Sequence, residues 1–327
     1  MQLVINYPSW IHPEIFPFIP FLSFLRWYGL MYIFSFGTAY FVFMKQVKQG
    51  ALDTEDYKCT DDDVASFFFC GILCLVLGAR IFYTLVYDAS KYYWHKPWMI
   101  FWPFDEYGNF TGLAGMSYHG GFIGGLLGVL FWCIWKRKPI GKWVDVIAVS
   151  IPLGYTFGRL GNFFNAELYG RITTVPWGMI FPDADRYSLS LEWVQKIVAE
   201  TGIVVPSGAS TVILPRHPSQ LYEAFFEGIF LWGVLWLLRK KKPFDGFLGC
   251  LYCILYGAIR FVLEYFREPD VDLGYRVAAV ADAPIYLNVS IFNLSTGQLL
   301  CLFMVASGLL CMAFCAFFDK QKNKTKS

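Results

Sequence analysis

The chain has 327 residues, of which 56% are apolar, 20% aromatic and only 16% charged, with a mean hydropathy of +0.45. Soluble domains carry about 25% charge, so the composition excludes a disordered chain and argues against an ordinary soluble enzyme. A net charge of +2, dispersed along the chain, excludes a nucleic-acid binder.

In chain order, the first 25 residues hold four prolines and no Lys or Arg, so they do not read as a signal peptide. Seven stretches then approach the length of about 20 mostly apolar residues needed to cross a hydrocarbon core. They lie at 22–44, 64–87, 118–135, 143–164, 220–238, 246–266 and 296–318. The expected fold is an all-α polytopic membrane protein with seven transmembrane helices, forming one integral membrane domain over residues 1–327. Loop charge sets the expected orientation. Loops 45–63, 136–142 and 239–245 and the tail after Phe318 carry 15 Lys and Arg; the N-terminus and loops 88–117, 165–219 and 267–295 carry 8. This predicts an N-terminus outside and a cytoplasmic C-terminus. Asp61, Asp62 and Asp63 fit the start of the second helix, where the helix dipole favours negative charge; a metal site is the alternative. Segment 165–219 is too long for a plain connector and reads as a small extracytoplasmic head, with an amphipathic helix at Leu189–Val198 presenting Leu191, Val194 and Val198 on one face.

Four arginines fall inside the spans: Arg26, Arg80, Arg159 and Arg260. Each costs about 2.5–3.5 kcal/mol at the bilayer centre on insertion scales. At 1.5 Å of rise per residue, Arg80 and Arg159 stand about 24 Å, and Arg260 about 21 Å, from the cytoplasmic ends of their helices. All four therefore lie in the outer half of the core. Tyr28, His119, Asn162, Asn165, Glu167, His217, Gln220, Glu223, Glu264 and Gln298 fall at the same level, so the polar residues form one layer. Arg26 is near enough to the rim to snorkel, and Arg80 could simply bond loop carbonyls. Tyr256, Arg260 and Glu264 form an i, i+4, i+8 stripe on which Glu264 can pair with Arg260; a purely structural ion pair is the alternative.

The expected chemistry is a buried, cation-rich pocket opening to the outer leaflet, where guanidinium groups grip phosphate. No acidic cluster suited to Mg²⁺ accompanies it, and no metal or cofactor is expected. Gly-x-Ser-x-Gly is absent, which argues against a serine hydrolase. The nine cysteines read as small apolar fillers, and the Cys250–Cys253 CxxC as having neither a second pair nor a nearby histidine. A transporter or flippase for an anionic phospholipid also needs intramembrane arginines, but no internal repeat is found. An intramembrane protease needs a Ser/His or paired-Asp constellation, and none is apparent.

The run GRLGNFFNAELYGR at 158–171 resembles the signature of prolipoprotein diacylglyceryl transferases, and RHPSQLYEAFFEG at 216–228 resembles their second hallmark. RWYGLMY at 26–32, GARIFYTLVY at 78–87, GMSYHGG at 115–121, YGAIRFVLEYFREPD at 256–270 and LSTGQLL at 294–300 complete the match in family order. The resemblance implies an enzyme of the bacterial inner membrane, which makes the outside, where the N-terminus is expected, the periplasm. It implies that this enzyme moves the diacylglyceryl group of phosphatidylglycerol to the lipobox cysteine of preprolipoprotein signal peptides. A thioether forms and glycerol 1-phosphate leaves, without metal or organic cofactor; membrane lipids are the other expected partners. On this reading Arg159 and Arg260 clamp the phosphate, and Glu167 and Glu264 orient them. His119 is a candidate base, unless an arginine-rich field alone depresses the thiol pKa. The expected substrate-binding set is Tyr28, Arg80, Asn162, Gly170, Tyr256, His217, Gln220 and Glu223. Within it Gly170 is expected in a tight turn, and His217, Gln220 and Glu223 at the outer rim, braced with Tyr222. Ala114, Tyr118, Ala166 and Tyr169 depart from the family pattern and read as packing changes beside the motifs.

Overall fold

A computed structural model describes residues 4–22, 25–88, 91–104, 108, 115–269, 274–280 and 283–324, with the backbone alone at Pro20, Tyr87, Tyr118, His119 and Asn323. Helices dominate. In chain order the elements are β1 (Ile5–Asn6), α1 (Trp27–Val47), α2 (Asp61–Phe82), α3 (Tyr92–His95), α4 (Tyr118–Trp135), α5 (Ile140–Phe164), β2 (Met179–Ile180), β3 (Arg186–Ser188), α6 (Glu192–Thr201), β4 (Thr211–Ile213), α7 (Ser219–Glu223), α8 (Leu231–Leu238), α9 (Phe247–Leu263), β5 (Tyr275–Val277), β6 (Leu294–Ser295) and α10 (Thr296–Lys324). π-helical turns at Tyr83–Tyr87 and Ala224–Phe230 extend α2 and join α7 to α8. Four helical stretches are long and apolar enough to cross a membrane: Trp27–Val47, Asp61–Val86, Ser219–Leu238 and Thr296–Lys322. Gly120–Trp135 and Phe247–Leu263 are shorter apolar helices. The 25-residue α5 carries Lys142, Asp145 and Arg159 within its length. The architecture is that of an all-α membrane protein with small β additions.

The expected boundaries move where local chemistry dictates. The first helix begins at Trp27 rather than at 22, because Glu14 pairs with Arg26 in an isolated bridge and proline-rich chain precedes it. The amphipathic helix begins at Glu192 rather than Leu189. Leu191 is its extended N-cap and is exposed, while Val194 is fully buried. Gly202 ends it in the left-handed conformation at φ +66°.

The chain divides into two compact units, Met44–Trp143 and the remainder, Met1–Phe43 with Val144–Ser327. In the first, α2 opens on a capping box: Asp63 N–H donates to Thr60 Oγ1 and Thr60 N–H donates to Asp63 Oδ2, each at 3.2 Å. Asp63 also accepts from Tyr57 and pairs with Lys138 at 3.4 Å. Phe67, Trp132 and Trp143 fill the core with ring centroids 4.5–5.3 Å apart. Helix α4 lies directly on α2 through Gly120, Gly124 and Gly128, a small-xxx-small row. A Cβ on Gly124 would stand 2.2 Å from the Cys74 carbonyl oxygen. Cys70 fills space at this seam and donates to the Gly128 carbonyl at 3.5 Å.

In the larger unit, Val149, Leu231, Leu235 and Leu248 form the core between α5, α8 and α9. Asp145, 1% exposed, caps α9 from α5: it accepts from the N–H groups of Gly246, Leu248 and Gly249 at 2.8–3.1 Å and from Lys242 at 2.9 Å. Residues 165–219 fold around a core of their own, built from Ile172, Val194, Val212 and Leu214, with β3 and β4 antiparallel. Strand β1 pairs parallel with β2. Arg171 and Arg216, both buried, tie this segment to the chain after α9: Arg171 donates to the carbonyls of Arg267 and Leu287, and Arg216 pairs with Glu268.

Overpacking a tight seam costs about 1–3 kcal/mol. Gly124→Leu is therefore expected to lower the thermal unfolding midpoint of the detergent-solubilised protein clearly. Gly233→Leu, where a Cβ meets nothing within 4 Å, is expected to leave it near the parent value.

Candidate functional site

The polar residues of α5, α7, the following π turn and α9 meet in one network. Tyr155 and Arg159 lie four apart on α5, and Arg159 Nε donates to the Tyr155 hydroxyl at 2.6 Å. That hydroxyl donates to Glu227 Oε2 at 2.5 Å. Glu223 Oε2 lies 3.0 Å from Arg159 Nε and 3.2 Å from Arg260 Nη1. One carboxylate oxygen thus bridges guanidiniums from two helices. Arg260 Nη1 also reaches Glu227 Oε1 at 3.4 Å, and Nη2 reaches Glu264 Oε2 at 3.1 Å. Glu223 and Glu227 are each 1% exposed. Among the described residues, Nη2 of Arg159 and Nε of Arg260 make no hydrogen bond.

Local structure explains why the carboxylates converge. The π turn at Ala224–Phe230 widens the backbone ladder, as such insertions commonly do at functional sites. The Thr156 hydroxyl donates to the Ala224 carbonyl at 3.2 Å, beside Gly228, where any Cβ would lie 2.0 Å from Thr156 Oγ1. Glu223 and Glu227 therefore approach α5 closely from consecutive turns.

A second layer positions the arginines. Asn162 Oδ1 accepts from Arg159 Nη1 at 3.2 Å, and its amide donates to Glu167 Oε1 at 2.8 Å. Glu167 thus bears on Arg159 through Asn162. Gln220 donates to the Glu167 carbonyl at 2.6 Å. Glu264 Oε1 accepts from Ser295 Oγ at 3.0 Å, and Ser295 is tied to Gln298. Tyr256 packs edge-on to Tyr155 at 6.2 Å. Tyr28 faces Gly161, whose added Cβ would meet it at 3.4 Å, and its hydroxyl is 3.0 Å from that of Tyr32. An open cleft of about 390 Å³ beside Arg260 is lined by Glu264, Arg267, Ser295, Thr296 and Gly297. It combines two guanidiniums with the N-terminus of α10, an arrangement suited to anions.

Several expected placements differ. The cluster is not cation-rich: two guanidiniums meet three carboxylates. Glu223 lies between the arginines rather than at the rim. Gly170 is not a turn glycine; the left-handed residues are Ala166 and Leu168, at φ +52° and +55°. Gly170 is instead a close-approach position, where a Cβ would stand 2.1 Å from the Phe266 carbonyl oxygen. Arg26 is exposed and pairs with Glu14 at 3.8 Å, outside the network. Arg80 belongs to the other unit, where it donates to the carbonyls of Ile100 and Gly115 and to Tyr93. His119 opens α4 in that unit, and its side chain lies outside the described residues.

The description "Prolipoprotein diacylglyceryl transferase" matches residues 14–314. The chain belongs to the prolipoprotein diacylglyceryl transferase family. It is 54% identical to the phosphatidylglycerol–prolipoprotein diacylglyceryl transferase of Treponema denticola, over 100% of this chain and 98% of that protein. It is 50% identical to that of Treponema pallidum, over 100% and 99%, and 38% identical to that of Borreliella afzelii, over 99% of each. For this family member the sequence reading missed Tyr155 and Glu227. Both carried a signal: Tyr155 lies four residues before Arg159, and Glu227 four after Glu223, mirroring the stripe read on α9.

His217 packs edge-on against Tyr222 and Phe266. Trp177 donates to the Tyr222 hydroxyl at 2.7 Å, and that hydroxyl lies 3.2 Å from His217 Nδ1. Burial, with Arg171 nearby, pushes the imidazole pKa down to about 4. The unfolded chain therefore binds this proton near the ordinary value of about 6.5, the folded one only near 4. Folded-state stability is complete above about pH 6.5 and falls as pH drops toward 4. His217→Gln is expected to flatten the dependence of the unfolding midpoint on pH in that window. Removing Arg260 leaves three carboxylates facing one guanidinium. Arg260→Ala is expected to cost about 3–5 kcal/mol, more than Glu223→Ala, by the same thermal assay.

Proposed function

We propose that this chain transfers the diacylglyceryl group of phosphatidylglycerol to the lipobox cysteine thiol of preprolipoproteins, the first step of lipoprotein maturation. The carbon–oxygen bond to the phosphate breaks, a carbon–sulfur bond forms, the thiol proton goes to a base, and glycerol 1-phosphate leaves. The observation that carries this reading is the pair of guanidiniums, Arg159 and Arg260, held 3.0 and 3.2 Å from one oxygen of Glu223.

The carboxylates fix both guanidiniums before substrate arrives, so their unbonded N–H groups need no reorganisation to meet the phosphodiester. Charge grows on the phosphate as the glycerol carbon is attacked, and prepositioned donors are worth more there than in the ground state. Glu264 and, through Asn162, Glu167 orient the two forks. Tyr28, Tyr256 and Asn162 hold the glycerol or head group, and the cleft at Arg267 and the start of α10 takes the phosphate side. Gly170, His217 and Gln220 shape the rim. In the smaller unit, His119 is the candidate acceptor of the thiol proton and Arg80 a further substrate contact. The fold works as a single integral membrane domain of seven spans, with α4, α5 and α9 as spans in addition to the four longer helices. Residues 165–219 form a periplasmic head, the N-terminus is periplasmic and the C-terminus cytoplasmic, in the bacterial inner membrane among its lipids.

The test incubates the purified protein with phosphatidylglycerol and a lipobox peptide and reads peptide mass. A gain of one diacylglyceryl unit is the expected result; an unchanged peptide, or a cleaved one, overturns the reading. Arg159→Lys and Arg260→Lys keep the charge but lose the planar fork. Each is expected to slow transfer at least about 100-fold with little change in thermal stability. His119→Gln at near-normal rate would remove histidine as the base.

A further inference from the structure

We propose that Cys250, Cys311 and Cys315 form a binding site for one thiophilic metal ion of the Zn²⁺ or Cu⁺ kind. Their Sγ atoms all lie within 4.8 Å of one another. All three are free thiols. They are brought together by two helices with matched spacing. Cys250 and Cys253 lie three apart on α9; Cys311 and Cys315 lie four apart on α10. Each pair therefore falls on one helix face. The sequence does hold a second pair to match the CxxC, at helical spacing rather than as a second CxxC.

Close packing of α9 on α10 depends on one glycine from each helix. A Cβ on Gly257 would stand 2.9 Å from Val305 Cγ2 and 3.0 Å from the Cys301 carbonyl oxygen. A Cβ on Gly308 would stand 2.9 Å from Ile254 Cγ1 and 3.2 Å from Cys253 Cβ. One turn beyond Gly308 the facing positions are Cys250 and Cys311, so the sulfurs meet where the backbones are closest.

The geometry suits a metal better than simple space filling. The Cys70 thiol, in the other glycine seam, is satisfied by the Gly128 carbonyl. Here three sulfurs converge on each other. With metal–sulfur bonds of about 2.3 Å, three thiolates around one ion stand about 4 Å apart, within reach of small side-chain rotations from the observed spacing. Binding releases three thiol protons to water, and the three thiolates donate to the ion. Soft sulfur ligands select Zn²⁺, Cu⁺ or Cd²⁺ over Mg²⁺ and Ca²⁺. Cys311 is exposed and Cys250 buried, and Cys250 lies three residues inside the start of α9. The site is independent of the transferase reading: Cys250 lies ten residues from Arg260 along α9, about 15 Å.

Cd²⁺ is the probe. The reduced, chelator-treated full-length protein in detergent is titrated while thiolate-to-cadmium charge-transfer absorbance is followed. Saturation at one Cd²⁺ per chain is expected, with Zn²⁺ competing and Mg²⁺ not. Cys311→Ala, at an exposed position that perturbs no core, is expected to weaken binding at least about 100-fold, and Cys250→Ser likewise; Cys59→Ser and Cys133→Ser are expected to leave it unchanged. Absence of the band, its survival in Cys311→Ala, or a disulfide within the cluster of the freshly isolated protein would overturn the proposal.

Discussion

Two guanidiniums sharing one carboxylate oxygen in an apolar bundle constrain everything around them. A charge taken out of water without a partner costs several kcal/mol, far more than any single contact returns. Arg159 and Arg260 can therefore be buried only because Glu223, Glu227 and Glu264 pair with them at 3.0–3.4 Å. This requirement locks α5, the α7–α8 helix and α9 into one register. It also gives a physical reason for the π turn at Ala224–Phe230 and for Gly228: without the widened ladder and the missing side chain, the helix carrying both glutamates would be held away from Thr156.

The same network couples the bundle to the chain outside it. Glu167 is held by Asn162 and Asn165 through its side chain and by Gln220 through its carbonyl. Gly170 then passes within van der Waals range of Phe266 and His217, and only a glycine fits. Arg171 and Arg216 fasten residues 165–219 to residues 267–287 through the Arg267 and Leu287 carbonyls and Glu268. Their partners are carbonyls, hydroxyls and acidic side chains, and Arg216 Nε makes no hydrogen bond among the described residues. Arg159 and Arg260 meet glutamates instead, and among the described residues Arg159 Nη2 and Arg260 Nε make no hydrogen bond.

Much of the bundle was legible in the sequence because a long apolar run of the right length has few alternatives in a membrane. The ends of α4, α7–α8 and α9 fall within a few residues of their expected places, and Asp61–Asp63 open α2 with a capping box. The Arg260–Glu264 pairing was legible for the same kind of reason, since i, i+4 neighbours on a helix are fixed by its pitch. The bridging place of Glu223 was not, because it depends on three helices at once. Nor was the three-sulfur cluster, whose members are some sixty residues apart and meet only through the approach at Gly257 and Gly308.

Composition, apolar run length and motif order therefore determined by themselves that this is a helical membrane protein of the diacylglyceryl transferase family with arginines inside apolar helices. These properties reside in single segments, and hydration cost and helical pitch act on each segment alone. Tertiary structure decided which acid faces which base, that Gly170 serves close approach rather than a turn, and that two guanidiniums meet three carboxylates instead of standing as free cations. Those outcomes depend on distances between segments, and in a low-dielectric interior an ångström of separation decides whether a charge is stabilised or excluded.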